Sequence, residues 1–296
     1  MALNKLAIRR QIKSIGNTKK MTKAMELVSA SKMRRSVAAA QASRPYASEA
    51  SEILSYLAPA ADPKLHPLLT VRPVKKVGVI LVSTNRGLCG GFNNSLVSTV
   101  TAHVAEEKKL GAESIELYTL GKRGRDACVR TGYAVAADFP KNDITRSVGD
   151  IIPLIHTVTE KYRDGLLDAV VLVSMHFVST VRQSPRVTHL LPFGRELLNG
   201  NWNSATVSGS LSSSVFEPSE SFVVDYAIPR LLEARVYQAV LESEASEQSA
   251  RMMAMHNASE AATDMLFDLQ LTYNSARQAA ITQEIAEISS GRAALE

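Results

Sequence analysis

Two long stretches with almost nothing to break a helix, one at each end of the chain, decide most of what this sequence can fold into. After Pro229 no proline occurs to the C-terminus, and no glycine before Gly291. At the other end, residues 3–57 contain a single proline, Pro45. Both ends read as helix. In the first, Ile8, Ile12 and Ile15 step by four and three, and Met21, Met25, Val28 and Lys32 continue the drift. In the second, Leu232, Val236, Ala239, Ser243, Ala250, Ala254, Ala258, Ala261, Met265, Leu269, Thr272 and Ala276 do the same. Some 60 residues of helix span roughly 90 Å, too long for an ordinary globular helix. A seam that narrow and that rich in Ala and Ser buries little area per residue, so each helix needs a neighbour. Charge supplies the pairing. Residues 1–44 carry eleven Lys and Arg against one acid, Glu26, whereas from Leu241 onward three Arg face nine acids. The two ends are expected to pair as an antiparallel coiled coil.

Between them the pattern changes. The apolar run Lys76–Ser83 is a buried strand, followed by the glycine-rich turn Thr84–Asn93 and a helix near 94–107. Ser114–Leu120 is a second strand, with a short helix to about Thr131. Asp143 is placed to cap a helix through Pro153 to about Gly165; Asp168–His176 is a third strand and Arg186–Phe193 an edge strand. Solid apolar strands alternating with helices predict a parallel sheet covered on both faces. The fold class is therefore α/β plus a long antiparallel α-helical coiled coil, with a Rossmann-like domain at 74–214 inserted between helices at 1–58 and 218–296. Asn199–Ser214, polar and small, reads as a loop or strand connection.

The chain is 45% hydrophobic and 21% charged, enough for a real core, and no run approaches the roughly 18 apolar residues of a membrane span. Two cysteines without a CxxC exclude a disulfide framework and a structural zinc site, and fit a reducing compartment. The loop Thr84-Asn85-Arg86-Gly87-Leu88-Cys89-Gly90-Gly91-Phe92-Asn93 stands where phosphates are often held. It lacks both G-x-G-x-x-G and G-K-[ST], so a tight turn is the better reading. Cys89 has no histidine near it in sequence and reads as a small buried hydrophobe. The six histidines show no H-x₃-H or HExxH pairing. Asp143 and Asp150 read as caps or surface groups, and Glu242, Glu244 and Glu247 as a solvated helix face. No catalytic constellation, metal or cofactor is expected, which points to a mechanical or interaction role. The basic N-terminal helix leaves a nucleic-acid-binding coiled coil as an alternative, although residues 1–45 lack the aromatics that would stack bases.

Several long motifs then carry a resemblance. Ile12-Lys13-Ser14-Ile15-Gly16-Asn17-Thr18-Lys19-Lys20-Met21-Thr22-Lys23-Ala24-Met25-Glu26-Leu27-Val28, Ser83–Asn93, Glu217-Pro218-Ser219, Ala250-Arg251-Met252 and Tyr273-Asn274-Ser275-Ala276-Arg277-Gln278-Ala279-Ala280-Ile281-Thr282-Gln283-Glu284 resemble, in order, the gamma subunit of bacterial F-type ATP synthase. Two positions depart from that pattern: Arg292 follows Gly291, and His176 stands where an asparagine is usual. The resemblance implies a rotor, non-catalytic by itself. Its paired helices would turn inside a head of three alpha and three beta subunits, and its α/β domain would meet the epsilon subunit and the c-ring. Proton or sodium flow would drive it, from the cytoplasmic face of the plasma membrane and without a span of its own. It implies head contacts at Lys23, Met25, Arg251, Arg277, Gln278, Thr282 and Glu284, and c-ring contacts at Phe216 and Glu217. No targeting presequence and no thiol control are expected.

Overall fold

The computed structural model describes residues 2–60, 66–142, 145, 147–193 and 220–293. It divides into two compact units, one formed by Met1–Ala30 with Arg251–Glu296 and the other by Ser31–Ala250. Asp143, Asn199–Ser214, Phe216 and Glu217, to which the sequence assigned roles, lie outside the described residues.

The sheet domain lies in the second unit. Strands β1 (Lys76–Val82), β2 (Ser114–Leu120), β3 (Val135–Phe139), β4 (Ala169–Phe177) and β5 (Gln183–Leu191) stand in the order β3-β2-β1-β4-β5. The first four are parallel; β5 returns antiparallel against β4, so the sheet is mixed and not wholly parallel as the apolar runs suggested. β3 has no counterpart in the sequence reading, because Val-Ala-Ala-Asp-Phe is too short and too mixed to stand out as an apolar run. The side chains of β1 alternate between two cores. Val77, Val79 and Leu81 face Phe92, Leu96, Val100 and Val104 of α2 (Phe92–Lys109) and Cys128 of α3 (Lys122–Arg130). Ile80 and Val82 face Leu154, Ile155 and Val158 of α4 (Ile152–Arg163). A helix through residue 153 bent at its proline is not what forms. Pro153 sits in the first turn of α4, where its missing N–H costs nothing, and a short 3₁₀ turn, Val148–Asp150, precedes it under a capping box from Ser147.

The long helices are α1 (Ala2–Ala60) and α5 (Glu220–Ala293). α5 runs through Pro229, close to the 218–296 span expected. A proline inside a helix costs about 3 kcal/mol, but the turns around it are anchored: Ile228, Leu231, Leu232, Val236 and Val240 complete the core on the α4 face of the sheet.

The seam of α1 follows the expected line at Ile8, Ile12 and Ile15 but departs from it at Met21, Met25 and Val28. Ile8, Thr22, Ser29, Met33, Ser36 and Ala40 are buried, with Ile12, Ile15, Lys19 and Glu26 half-buried between them. These positions alternate steps of four and three without a break, the 3.5-residue repeat of a left-handed coiled coil. Met21, Leu27 and Val28 lie one position off that line and are exposed. On α5 the matching line runs through Met255, Ser259, Ala262, Leu266, Leu269, Tyr273, Ala276 and Ala280, so Ala254, Ala258, Ala261 and Met265 are displaced from it in the same way. The reason is size. Thr22, Ser29, Ser36 and Ser259 let two backbones approach, and the larger residues beside them are turned outward. The helices run antiparallel: Glu26 meets His256, with Oε1 3.4 Å from Nδ1, while further along α1 Ser43 hydrogen-bonds Gln238.

Candidate functional site

In sheets of this kind ligands bind outside the carboxyl ends of the strands, where the order of connection reverses. Here that point lies beside β1, at the loop Thr84–Asn93. The loop's polar groups bond within it and to the neighbouring backbone. The hydroxyl of Thr84 donates to the Arg86 carbonyl (2.7 Å), and the Asn93 amide donates to Thr84 Oγ1 (2.8 Å) and to Cys89 Sγ (3.3 Å). Cys89 is buried, as a small hydrophobe would be. Leu88 and Gly90 both take left-handed backbone, with φ of 64° and 58°, which closes the turn. Before the loop, Ser83 Oγ donates to the Gly121 carbonyl (2.8 Å) and accepts from the Gly124 N–H (2.9 Å). That approach is so close that a Cβ on Gly124 would stand 2.5 Å from the hydroxyl. The geometry is that of a packed turn, not an open phosphate cradle.

The crevice is occupied by α5. Glu247 Oε2 lies 2.8 Å from Lys141 Nζ, with the two side chains only 10% and 3% exposed. Lys141 in turn donates to the Ser83 carbonyl at the end of β1 (2.9 Å), and its own carbonyl accepts from the Asn85 amide (2.6 Å). Glu244 is fully buried; it accepts the backbone N–H of Thr145 at 3.0 Å and also its hydroxyl. Burial pushes the Glu244 carboxyl above the usual range, against the opposing pull of Lys141 and of the Thr145 hydrogen bonds. Glu242 accepts from Gln238 (2.9 Å), lies 2.5 Å from His176 Nδ1 on β4, and is 3.6 Å from Arg44 of α1. About two turns on from Glu242, Ser249 donates to the Thr180 carbonyl at 2.6 Å. The solvated face expected for Glu242, Glu244 and Glu247 is therefore wrong. The partners that bury them, Lys141, Thr145 and His176, are 66 to 106 residues away in sequence, and no spacing within α5 announces them. The one local signal was the Ser and Ala between the glutamates, which let the helix sink close to its neighbours.

The remaining predicted residues lie along the helices of the first unit. Lys23 is half exposed and paired with Glu26 at 2.9 Å, and this hydrogen bond holds the Glu26 carboxyl below its ordinary range. Met25 lies off the buried seam. Arg251 is half-buried, and Arg277, Gln278, Thr282 and Glu284 are exposed. All lie in one unit, but they are strung along α1 and α5 and do not converge on a pocket. Among the described residues no group of three or more His, Cys, Asp or Glu is arranged to hold a metal ion, and no helix is long and apolar enough to cross a membrane.

A model of the ATP synthase family matches residues 4–295. The ATP synthase gamma chain of Acidithiobacillus ferrooxidans is 45% identical over 292 residues, covering 99% of each chain. That of Legionella pneumophila is 36% identical over 293 residues, covering 97% of this chain and 98% of its own. The fold is also that of a chain in the F1/c-ring assembly of the Euglena gracilis mitochondrial ATP synthase, with a TM-score of 0.68 at 18% identity, covering all of this chain and 95% of that one. A chain of the Tetrahymena thermophila mitochondrial central stalk and c-ring gives 0.61 at 24% identity, over 81% and 99%. None of these favours the nucleic-acid reading. With matches that run from one end of the sequence to the other, the chain belongs to the ATP synthase gamma chain family.

Proposed function

We propose that the chain is the central-stalk rotor of an F-type ATP synthase and has no catalytic activity of its own. The observation that carries this is the architecture in a member of that family: antiparallel helices of 59 and 74 residues, joined to a sheet domain whose ligand crevice is filled by the chain's own helix. A chain built this way presents long surfaces to partners. In this reading the first unit is the shaft inside a head of three alpha and three beta subunits. Lys23, Met25, Arg251, Arg277, Gln278, Thr282 and Glu284 make its polar and apolar contacts there. The sheet domain is the foot, which meets the epsilon subunit and, through Phe216 and Glu217, the c-ring. The functional division follows 1–58, 74–214 and 218–296, with the early turns of α5 shared by shaft and foot.

Ion flow through the membrane sector would turn the foot, and the shaft would carry that rotation to catalytic sites that belong to the beta subunits. The complex would hold this chain peripherally, at the cytoplasmic face of the bacterial plasma membrane. The exposed apolar residues of the shaft, Met21, Leu27 and Val28 on α1 and Phe267, Ile281, Ile285 and Ile288 on α5, suit a helix pair enclosed by other subunits. The test is co-purification. A tagged copy of the chain expressed in its own cell should bring down alpha and beta subunits with ATPase activity, while the chain alone shows neither hydrolysis nor stoichiometric nucleotide binding by calorimetry. Recovery of the chain without them, or micromolar nucleotide binding by the chain itself, would overturn the reading.

A further inference from the structure

The buried glutamates of α5 pose a question of economy. Burying ions is costly, and replacing a buried ion pair with apolar groups of similar volume is often neutral or stabilising. The neighbouring turns show that this surface can be held by apolar packing, since Ile228, Leu231, Leu232, Val236 and Val240 do so against the same domain. Yet over residues 242–247 the contact is made by hydrogen-bonded carboxyl groups.

What charge adds is direction. Apolar attraction is non-directional, whereas a hydrogen bond weakens steeply with angle and distance. At about 100° per residue, positions 242, 244 and 247 project from α5 along three different bearings. One ends on β4 and α1, and the other two end at separate points of the segment between β3 and α4. Glu242 reaches His176 on β4 and Arg44 on α1, Glu244 reaches Thr145 in the segment before α4, and Glu247 reaches Lys141, which grips the last carbonyl before the β1 loop. Three directional anchors on separate bearings oppose both rotation of the helix about its axis and sliding along it. The amide of Ser249's neighbour in space, Gln183, adds a further tie at 3.4 Å.

We propose that Lys141 and Glu247, with Glu244 and Glu242 beside them, are positioning residues for torque: they fix residues 242–247 of α5 in register with the sheet, so that torque on the sheet domain passes to this stretch of the helix without slip. The inference rests on the rotor reading and deepens it. Stability is not what these charges supply; torsional stiffness is.

The test uses the complete ATP synthase reconstituted with the Lys141→Met/Glu247→Leu double variant. Four quantities are read: melting temperature, ATP hydrolysis, protons pumped per ATP hydrolysed in sealed vesicles, and the angular spread of a bead attached to the sheet domain while the head is fixed to a surface. The double variant is expected to keep its melting temperature and hydrolysis, to widen the angular spread, and to lose pumping per ATP. Lys141→Arg, which keeps the charge and the donors, should restore a narrow spread. If the double variant does not assemble, Glu247→Gln, which keeps shape and an acceptor, should assemble with a spread wider than the parent's. An unchanged spread in an assembled variant overturns the proposal, and so does a spread that widens only in step with a falling melting temperature. A parent complex that hydrolyses ATP without turning the bead overturns the rotor reading itself, and the proposal with it.

Discussion

Two stretches of the same helix, ten residues each, invert the usual rule of burial. Residues 240–249 of α5 contain three glutamates, and every residue but the half-buried Glu242 is buried. Residues 281–290 contain Ile281, Ile285 and Ile288, and every one of the ten is exposed. Glutamates lie inside and isoleucines outside, along a helix with no break in its hydrogen bonding. Composition does not decide this; the neighbours do. The first stretch lies between α1, through Gln238 and Arg44, and the rim of the sheet, through Lys141, Thr145 and His176. Along the second, the described residues of the chain leave all ten side chains exposed. An exposed apolar stripe of that kind marks a surface meant for another protein, as the proposed head would be.

The largest effect expected from this contrast comes from breaking the buried pair on one side only. Lys141→Met takes away the cation that Glu247 faces at 2.8 Å in a nearly dry site, and breaking a buried ion pair from one side costs about 3–5 kcal/mol. Denaturant unfolding of the variant should show a midpoint lowered accordingly, and adding Glu247→Leu should recover most of the loss. A single variant as stable as the parent would mean that water reaches the pair freely and that the stretch is less buried than its geometry indicates.

A matched substitution compares the stretches directly. Ser246 is fully buried and donates to the Glu242 carbonyl, whereas Ser289 is exposed. Ser246→Leu drives three extra carbons into a close-packed site, for about 1–3 kcal/mol. Ser289→Leu should move stability by no more than about 0.5 kcal/mol. Thermal melts of the two variants side by side would break the comparison if the costs came out alike.

How far the sequence foretold each stretch follows from the range of the interactions involved. β1, β2 and β4 were legible because Val77–Val82, Leu117–Leu120 and Ala169–Met175 are buried on both faces and read as apolar runs. The two helices were legible from the scarcity of proline and glycine. The coiled-coil line was read correctly at Ile8, Ile12 and Ile15 and one residue off beyond them. Met21, Met25 and Val28 are the apolar choices, while the positions that touch are Thr22, Ser29 and Ser36, small enough for close approach but polar by type. The fate of Glu242, Glu244 and Glu247 was not legible, because it depends on partners 66 to 106 residues away in sequence. Phe216 and Glu217 remain where the motif put them in sequence, outside the described structure.

Glu244 gives a smaller and sharper test, through pH. Burial raises its carboxyl above the ordinary value, so the folded state prefers the protonated form. Its contribution is present at acid pH and is lost as pH rises through the unfolded and then the folded value. Glu244→Gln keeps an acceptor for Thr145 and removes the titration. The difference in stability between parent and variant should therefore shift steadily in favour of the variant from acid to neutral pH, with the variant at least equal to the parent near pH 7. Unfolding midpoints for both proteins across that range would settle the sign. A shift in the opposite direction would show that the Thr145 and Lys141 contacts outweigh desolvation, and that Glu244 is a stabilising ion.

The smallest effect on stability belongs to the exposed end, and there the interest lies in what does change. Arg277 is exposed on α5, where charged contacts contribute at most about 1 kcal/mol. Arg277→Ala should leave the melting temperature of the chain almost unmoved. If this part of α5 turns inside the head, the guanidinium meets an equivalent surface on each of three beta subunits in every revolution. A contact that recurs at each catalytic site can bias which conformation that site adopts, and a modest bias at each step changes turnover without changing how tightly the chain is folded. ATP hydrolysis by the reconstituted complex should therefore shift while its melting curve stays in place. Arg277→Lys, which keeps the charge but not the planar fork of donors, should fall between the two. Normal turnover with a lowered melting temperature would place Arg277 among the groups that hold the helix together, and the contrast between the two stretches would then be one of packing alone.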